Sequence, residues 1–120
     1  MGMDRKEAIR AYKEARRPMG VFQVRNTVTG KVYVGTSVDL PSILNRHRAQ
    51  LRLAAHADRA LQADWNALGE SAFGFDVLDT LEAPDEPGYD PADDLRTLED
   101  LWRGKLAASG TEVYNTPRRR

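Results

Sequence analysis

The sequence contains no cysteine, which excludes disulfides, zinc–thiolate centres and cysteine nucleophiles. It has no net charge either: 18 Lys and Arg balance 18 Asp and Glu. No apolar run approaches the roughly 18 residues that a membrane-spanning helix needs. The start, Met1-Gly2-Met3-Asp4-Arg5-Lys6, leads into a charged segment and lacks the apolar core of a signal peptide. A cytoplasmic protein with no membrane partner is the default expectation. What is present is ordinary for a globular chain: 120 residues, 41% hydrophobic and 30% charged, enough for one domain around one core.

The zero balance hides an asymmetry. Residues 1–60 carry 12 Lys/Arg against 5 Asp/Glu, and residues 61–120 carry 6 against 13, so the halves are +7 and −7. A basic half can meet phosphates, because bound cations release counterions from nucleic acid. Equally, the two halves can simply attract each other.

Along the chain, residues 4–16 have the spacing of an amphipathic helix that Pro18 and Gly20 end. Residues 21–25 and 31–35 alternate like strands. They are joined by Asn26-Thr27-Val28-Thr29-Gly30, so a β-hairpin is expected. Asp39 is placed to cap a helix that has Pro41 in its first turn and runs to about Ala55. Its apolar stripe is Leu40, Ile43, Leu44, His47, Leu51 and Ala54. Asp58 can cap a further helix with Leu61, Trp65 and Leu68, ended by Gly69, and residues 72–80 alternate like a third strand. Residues 82–94 hold six acids, three prolines and no base, the composition of a mobile or repelling surface segment. A last helix over roughly 93–108 puts Leu95, Leu98, Trp102 and Leu106 on one face, and the tail from Val113 reads as frayed. The order α-β-β-α-α-β-α predicts an α+β domain: a three-stranded antiparallel sheet flanked by helices, with an extra N-terminal helix.

Several local features coincide with one family. Gly20-Val21-Phe22 and Tyr33-Val34-Gly35 flank a connection containing Asn26 and Gly30-Lys31. A helix with Arg46 and His47 follows, then Leu61-Gln62-Ala63-Asp64-Trp65 and Phe73-Gly74-Phe75-Asp76-Val77-Leu78. Glu99 stands in Leu98-Glu99-Asp100-Leu101-Trp102, and Tyr114-Asn115 closes the series. In order and spacing this resembles the GIY-YIG nucleases, which include the catalytic domains of homing endonucleases and of excinuclease C. The resemblance covers residues 19–116, leaving 1–18 as an added helix and 117–120 as a basic tail. It implies a DNA endonuclease that hydrolyses phosphodiester bonds with one divalent ion, Mg²⁺ or Mn²⁺. In that scheme a hairpin tyrosine activates water, an arginine on the next helix faces the phosphate, and a glutamate on the last helix binds the ion. With 120 residues and no appended DNA-reading part, single-stranded, branched or flap DNA is the expected substrate, as in repair or processing.

The physical requirements agree with these roles. Phosphoryl transfer needs charge neutralised on the phosphate oxygens. Mg²⁺ and Mn²⁺ take oxygen ligands and keep several waters, so one protein carboxylate can suffice. Glu99 lies on the margin of an apolar helix face, where an ionised carboxylate needs a metal or an arginine partner. Tyr33 points to the face opposite Val32 and Val34; it can serve in proton transfer or pack its ring. His47 can hydrogen-bond Tyr33 or shuttle a proton, or be a satisfied core histidine. Asn115 can order the site or cap a turn. Arg25, Lys31, Arg48, Arg52 and the loop residue His56 are candidates for DNA contacts, or for a solvated face.

Two positions depart from the family pattern. Phe22 stands where a tyrosine is usual, which leaves Tyr33 as the hairpin's one phenol. Ile43 stands ten residues after Tyr33, where an arginine is usual. Arg46, one turn further along the same face, is the expected replacement. These departures carry the alternative: a degenerate domain that binds nucleic acid or a protein without cutting.

Overall fold

The structure, a computed structural model, describes residues 17–116. The expected helix over 4–16 and the basic tail over 117–120 lie outside the described residues. The elements are β1 (Met19–Asn26), β2 (Val32–Ser37), α1 (Leu40–Arg52), α2 (Arg59–Leu68), a short 3-10 turn (Glu70–Ala72), β3 (Phe73–Leu81) and α3 (Ala92–Ala108). The three strands form one antiparallel sheet in the order β2-β1-β3, so the expected α+β architecture is the one observed.

The hairpin turn is built by Asn26. Its side-chain oxygen accepts the N–H groups of Val28 and Thr29, and Gly30 takes a positive φ of 81°. Asn and Gly suit those positions because one supplies the local acceptor and the other has no Cβ to strain. Asp39 caps α1 by accepting from Ser42, and Asp58 caps α2 by accepting from the Leu61 N–H. α1 ends at Arg52 rather than near Ala55, because the chain reverses through Ala54, which has a φ of 57°.

The pleat divides the core between the two sheet faces. Val24, Leu51, Leu61, Trp65 and Phe73 form one cluster under α1 and α2, with Tyr33 packed against it. Val21, Val32 and Val34 form the other under α3, with Leu98, Trp102 and Leu106. Ile43 and Leu44 are half-buried.

The C-terminal segment corrects the expectation of a frayed tail. Val113 forms a parallel bridge to Val32, and the Tyr114 N–H donates to the Val32 carbonyl at 2.7 Å. The Tyr114 hydroxyl accepts from Asn26 Nδ2 at 3.1 Å and donates to Asp64 at 2.6 Å, joining hairpin, α2 and tail. Burial and the Asp64 carboxylate push the Tyr114 phenol up to about 12, so it stays a donor at neutral pH. No described helix is long and apolar enough to cross a membrane.

Candidate active site

Both hairpin motifs need their glycines for lack of space. A Cβ at Gly20 would lie 2.0 Å from the Asp79 carbonyl oxygen of β3, and one at Gly35 would lie 2.7 Å from the Phe22 ring. Gly35 is the cross-strand partner of Phe22, so the missing side chain makes the slot that the ring fills. Phe22 is buried there, leaving Tyr33 as the hairpin's accessible aromatic.

Four rings gather at this point. His47 on α1 lies 5.2 Å from Phe22 and 5.0 Å from Tyr33, centroid to centroid. His56, from the α1–α2 loop, stands edge-on to Tyr33 at 5.3 Å. His56 was expected as a loop residue open to DNA; instead it is buried, with Nε2 2.7 Å from Nδ1 of His47. The network settles both tautomers. The Asp58 N–H donates to His56 Nδ1 at 3.0 Å, so neutral His56 carries its proton on Nε2. That proton is donated to His47 Nδ1, and His47 therefore keeps its own on Nε2. Burial, then the neighbouring His56 and Arg46, lower the His47 pKa to about 4, and burial also lowers that of His56. At neutral pH the pair is uncharged and offers one free donor, His47 Nε2–H. The Tyr33 phenol is pushed above 10.0 by burial and then by Asp58, with Arg103 pulling the other way and Glu99 adding to the rise.

A second group assembles at the free edge of β2. The register pairs Val34 with Gln23, and its N–H and C=O are both held by Asn115. The Asn115 carboxamide thus stands in for a neighbouring strand. The Asn115 carbonyl accepts from Arg103 Nη1 at 2.9 Å, the Val34 carbonyl accepts from Arg103 Nη2 at 3.3 Å, and Arg103 Nε donates to Glu99 at 2.7 Å. Glu99 and Arg103 are four residues apart on α3, with side chains 26% and 15% exposed: close to the sheet, yet open to solvent. Arg103 is bound to the carbonyl of Val34, the residue after Tyr33, so the two groups meet at residues 33–34, and the charges of Arg103 and Glu99 both act on the Tyr33 phenol.

No protein-family model matches the chain. It is 32% identical over 62 residues to intron-associated endonuclease 1 of Enterobacteria phage T4, and spans only about 25% of that protein's length. Its structure superposes on the catalytic domain of homing endonuclease I-TevI with a TM-score of 0.65 and 28% identity, covering 83% of this chain and 99% of that one. A glutamate-to-alanine variant of the same domain gives 0.66 and 25%, covering 86% and 97%. These matches support the resemblance to the GIY-YIG nucleases.

The structure brings five of the expected residues together: Tyr33, His47, His56, Glu99 and Asn115. Arg46 is exposed on α1; its charge reaches His47, and it makes no hydrogen bond or ion pair with a described residue. The other basic residues are dispersed. Arg52 is held by Glu70 through two contacts of 2.6 Å, Arg48 lies over the Phe75 ring at 4.4 Å, and Arg25 is exposed. Lys31 lies over the Tyr114 ring at 4.7 Å and 3.9 Å from Glu112. Lys31 and Arg103 also line a common hollow of about 450 Å³ with Thr111 and Thr116. Arg103 is the residue that reading the sequence missed. Its signal was the four-residue spacing from Glu99, which by itself denotes an ordinary surface ion pair.

Proposed function

We propose that this domain cuts DNA by hydrolysing a phosphodiester bond with Mg²⁺ or Mn²⁺. The observation that carries the reading is the convergence of Tyr33, the His47–His56 pair, Glu99 and Asn115 on residues 33–34 of β2, in a domain homologous to a homing-endonuclease catalytic domain. Among the described residues no three His, Asp or Glu converge as a cage; Glu99, joined to the edge of β2 through Arg103, is the carboxylate that would hold the ion. One Glu99 oxygen accepts from Arg103 and the other makes no hydrogen bond with a described residue, which suits a hard cation that takes a single carboxylate and keeps its waters. The bound ion supplies Lewis-acid stabilisation of the phosphate oxygens.

The chain's own groups do the rest. Tyr33 keeps its proton at neutral pH, so it does not wait as a phenolate; its hydroxyl takes a proton from the attacking water as it gives its own to a solvent water. His47 presents Nε2–H as a neutral donor. Acting as a base there would require both tautomers to flip against the Asp58 N–H, so we assign it to holding an oxygen, either of Tyr33 or of the substrate. Asn115 fixes the strand edge that carries Tyr33. Lys31 and Arg25 contact the DNA backbone, making affinity fall with salt. Single-stranded and branched DNA are the substrates to try first.

A second reading, binding without cutting, is favoured by two side chains: Phe22, which has no hydroxyl, and Ile43, which has no charge. Incubating labelled single-stranded, double-stranded and branched DNA with the protein, with and without Mg²⁺ or Mn²⁺, separates the two. Ion-dependent cleavage is expected; binding with no cleavage in either ion would overturn the first reading and leave the second.

A further inference from the structure

Phosphoryl transfer needs a cation against the phosphate, and its absence at Ile43 leaves Arg46 and Arg103, among the described residues, as the arginines near the site. Their surroundings differ. Arg46 is exposed on α1, and no described group holds its guanidinium in one place. Arg103 is anchored three times: Nε on Glu99, Nη1 on the Asn115 carbonyl and Nη2 on the Val34 carbonyl, next to Tyr33. A guanidinium has five N–H groups in a rigid plane, so three anchors leave two free to donate.

We infer that Arg103, projecting from α3, is the catalytic residue that donates to the phosphate oxygens of the scissile bond, in place of any arginine on α1. The inference rests on the proposed cleavage activity and adds the identity of its cation. Three observations support it. Arg103 donates to Glu99, so its guanidinium would stand beside a phosphate drawn to an ion held by Glu99. The Arg103 charge also reaches the Tyr33 hydroxyl, which it pulls toward ionisation against the burial that opposes it. Finally, two of its three anchors are backbone carbonyls of ordered segments, so the cation is preorganised for the charge that develops in the transition state. Arg46 is left as a backbone-positioning charge.

The test uses the full chain and two readouts. In single-turnover cleavage at saturating DNA, Arg103→Ala should lower the rate about 10²–10³-fold, the usual effect of removing one preorganised donor. Added guanidinium ion at millimolar concentration should restore part of that rate, which it would not do for a merely structural loss. Arg46→Ala should weaken binding and its salt dependence, and lower the rate at saturating DNA far less than Arg103→Ala does. Separately, ¹⁵N NMR of the arginine side chains, without divalent ion, follows a titration with a short DNA oligonucleotide; Arg103→Lys assigns the Arg103 signal. The Arg103 Nε–H signal should shift, and it should do so even if no DNA is cut. If Arg103→Ala cuts at the parent rate, or Arg46→Ala loses the rate and Arg103→Ala does not, Arg103 is not the cation and the cleavage reading stands. If the wild-type chain cuts nothing and the Arg103 signal does not move, both are wrong.

Discussion

Lowering the pH should unfold this domain through the His47–His56 pair. His47 is 8% exposed, and its pKa drops from 6.5 to about 4 because burial, His56 and Arg46 all oppose its charge. In the unfolded chain it takes a proton below about 6.5; in the folded chain it does so only below about 4. Between those values the unfolded state binds more protons, so stability is full above 6.5 and falls as pH falls. At about 1.4 kcal/mol per pH interval, the loss is about 2 kcal/mol by pH 5 and about 3 kcal/mol by pH 4. The hydrogen bonds give this a structural cause. A protonated His47 would set its Nδ1–H against the His56 Nε2–H at 2.7 Å, and His56 cannot turn its acceptor around without abandoning the Asp58 N–H. Urea unfolding at pH 7.5 and pH 5, for the wild-type chain and His47→Gln, measures the effect. Glutamine keeps an acceptor for His56 and does not titrate. Asp39 and Glu70, whose carboxyls are held low by Ser42 and Arg52, protonate in both proteins and cancel in the difference. The wild-type chain should lose about 2 kcal/mol more than the variant. Equal losses would refute the tautomer argument.

Two further predictions concern the strands. Gly35→Ala drives a methyl group against the buried Phe22 ring at 2.7 Å, and should destabilise the fold by about 1–3 kcal/mol in urea unfolding. Adding Phe22→Leu should recover part of that, and two losses that simply add would contradict the clash. Asn115→Ala strips both partners from the Val34 N–H and carbonyl and loosens the segment that anchors Arg103. It should lower stability by about 1–3 kcal/mol, and unchanged thermal unfolding would show that water replaces the carboxamide at no cost.

Much of the frame was legible in the sequence because local chemistry dictates it. Asn26 and Gly30 can form the hairpin turn by themselves, Asp39 and Asp58 cap helices on their own side chains, and period-two alternation places Val32 and Val34 against Tyr33. What stayed hidden depends on contacts between distant residues. The order of residues 113–115 comes from pairing with β2, about eighty residues earlier, and leaves no periodic trace. His56 is buried because His47 and the Asp58 N–H satisfy both its nitrogens, a condition invisible in a loop composition. Arg103 looks like a helix-surface ion-pair partner until the sheet edge is placed beneath it.

The proposed site at residues 33–34 would cut DNA through an ion held by Glu99. The most direct measurement is single-turnover cleavage of labelled DNA by the wild-type chain and Glu99→Ala over a Mn²⁺ titration, with thermal unfolding of both as the control for folding. The account predicts ion-dependent cleavage by the wild-type chain and none above background by a folded Glu99→Ala. Cleavage by Glu99→Ala at the wild-type rate would contradict it.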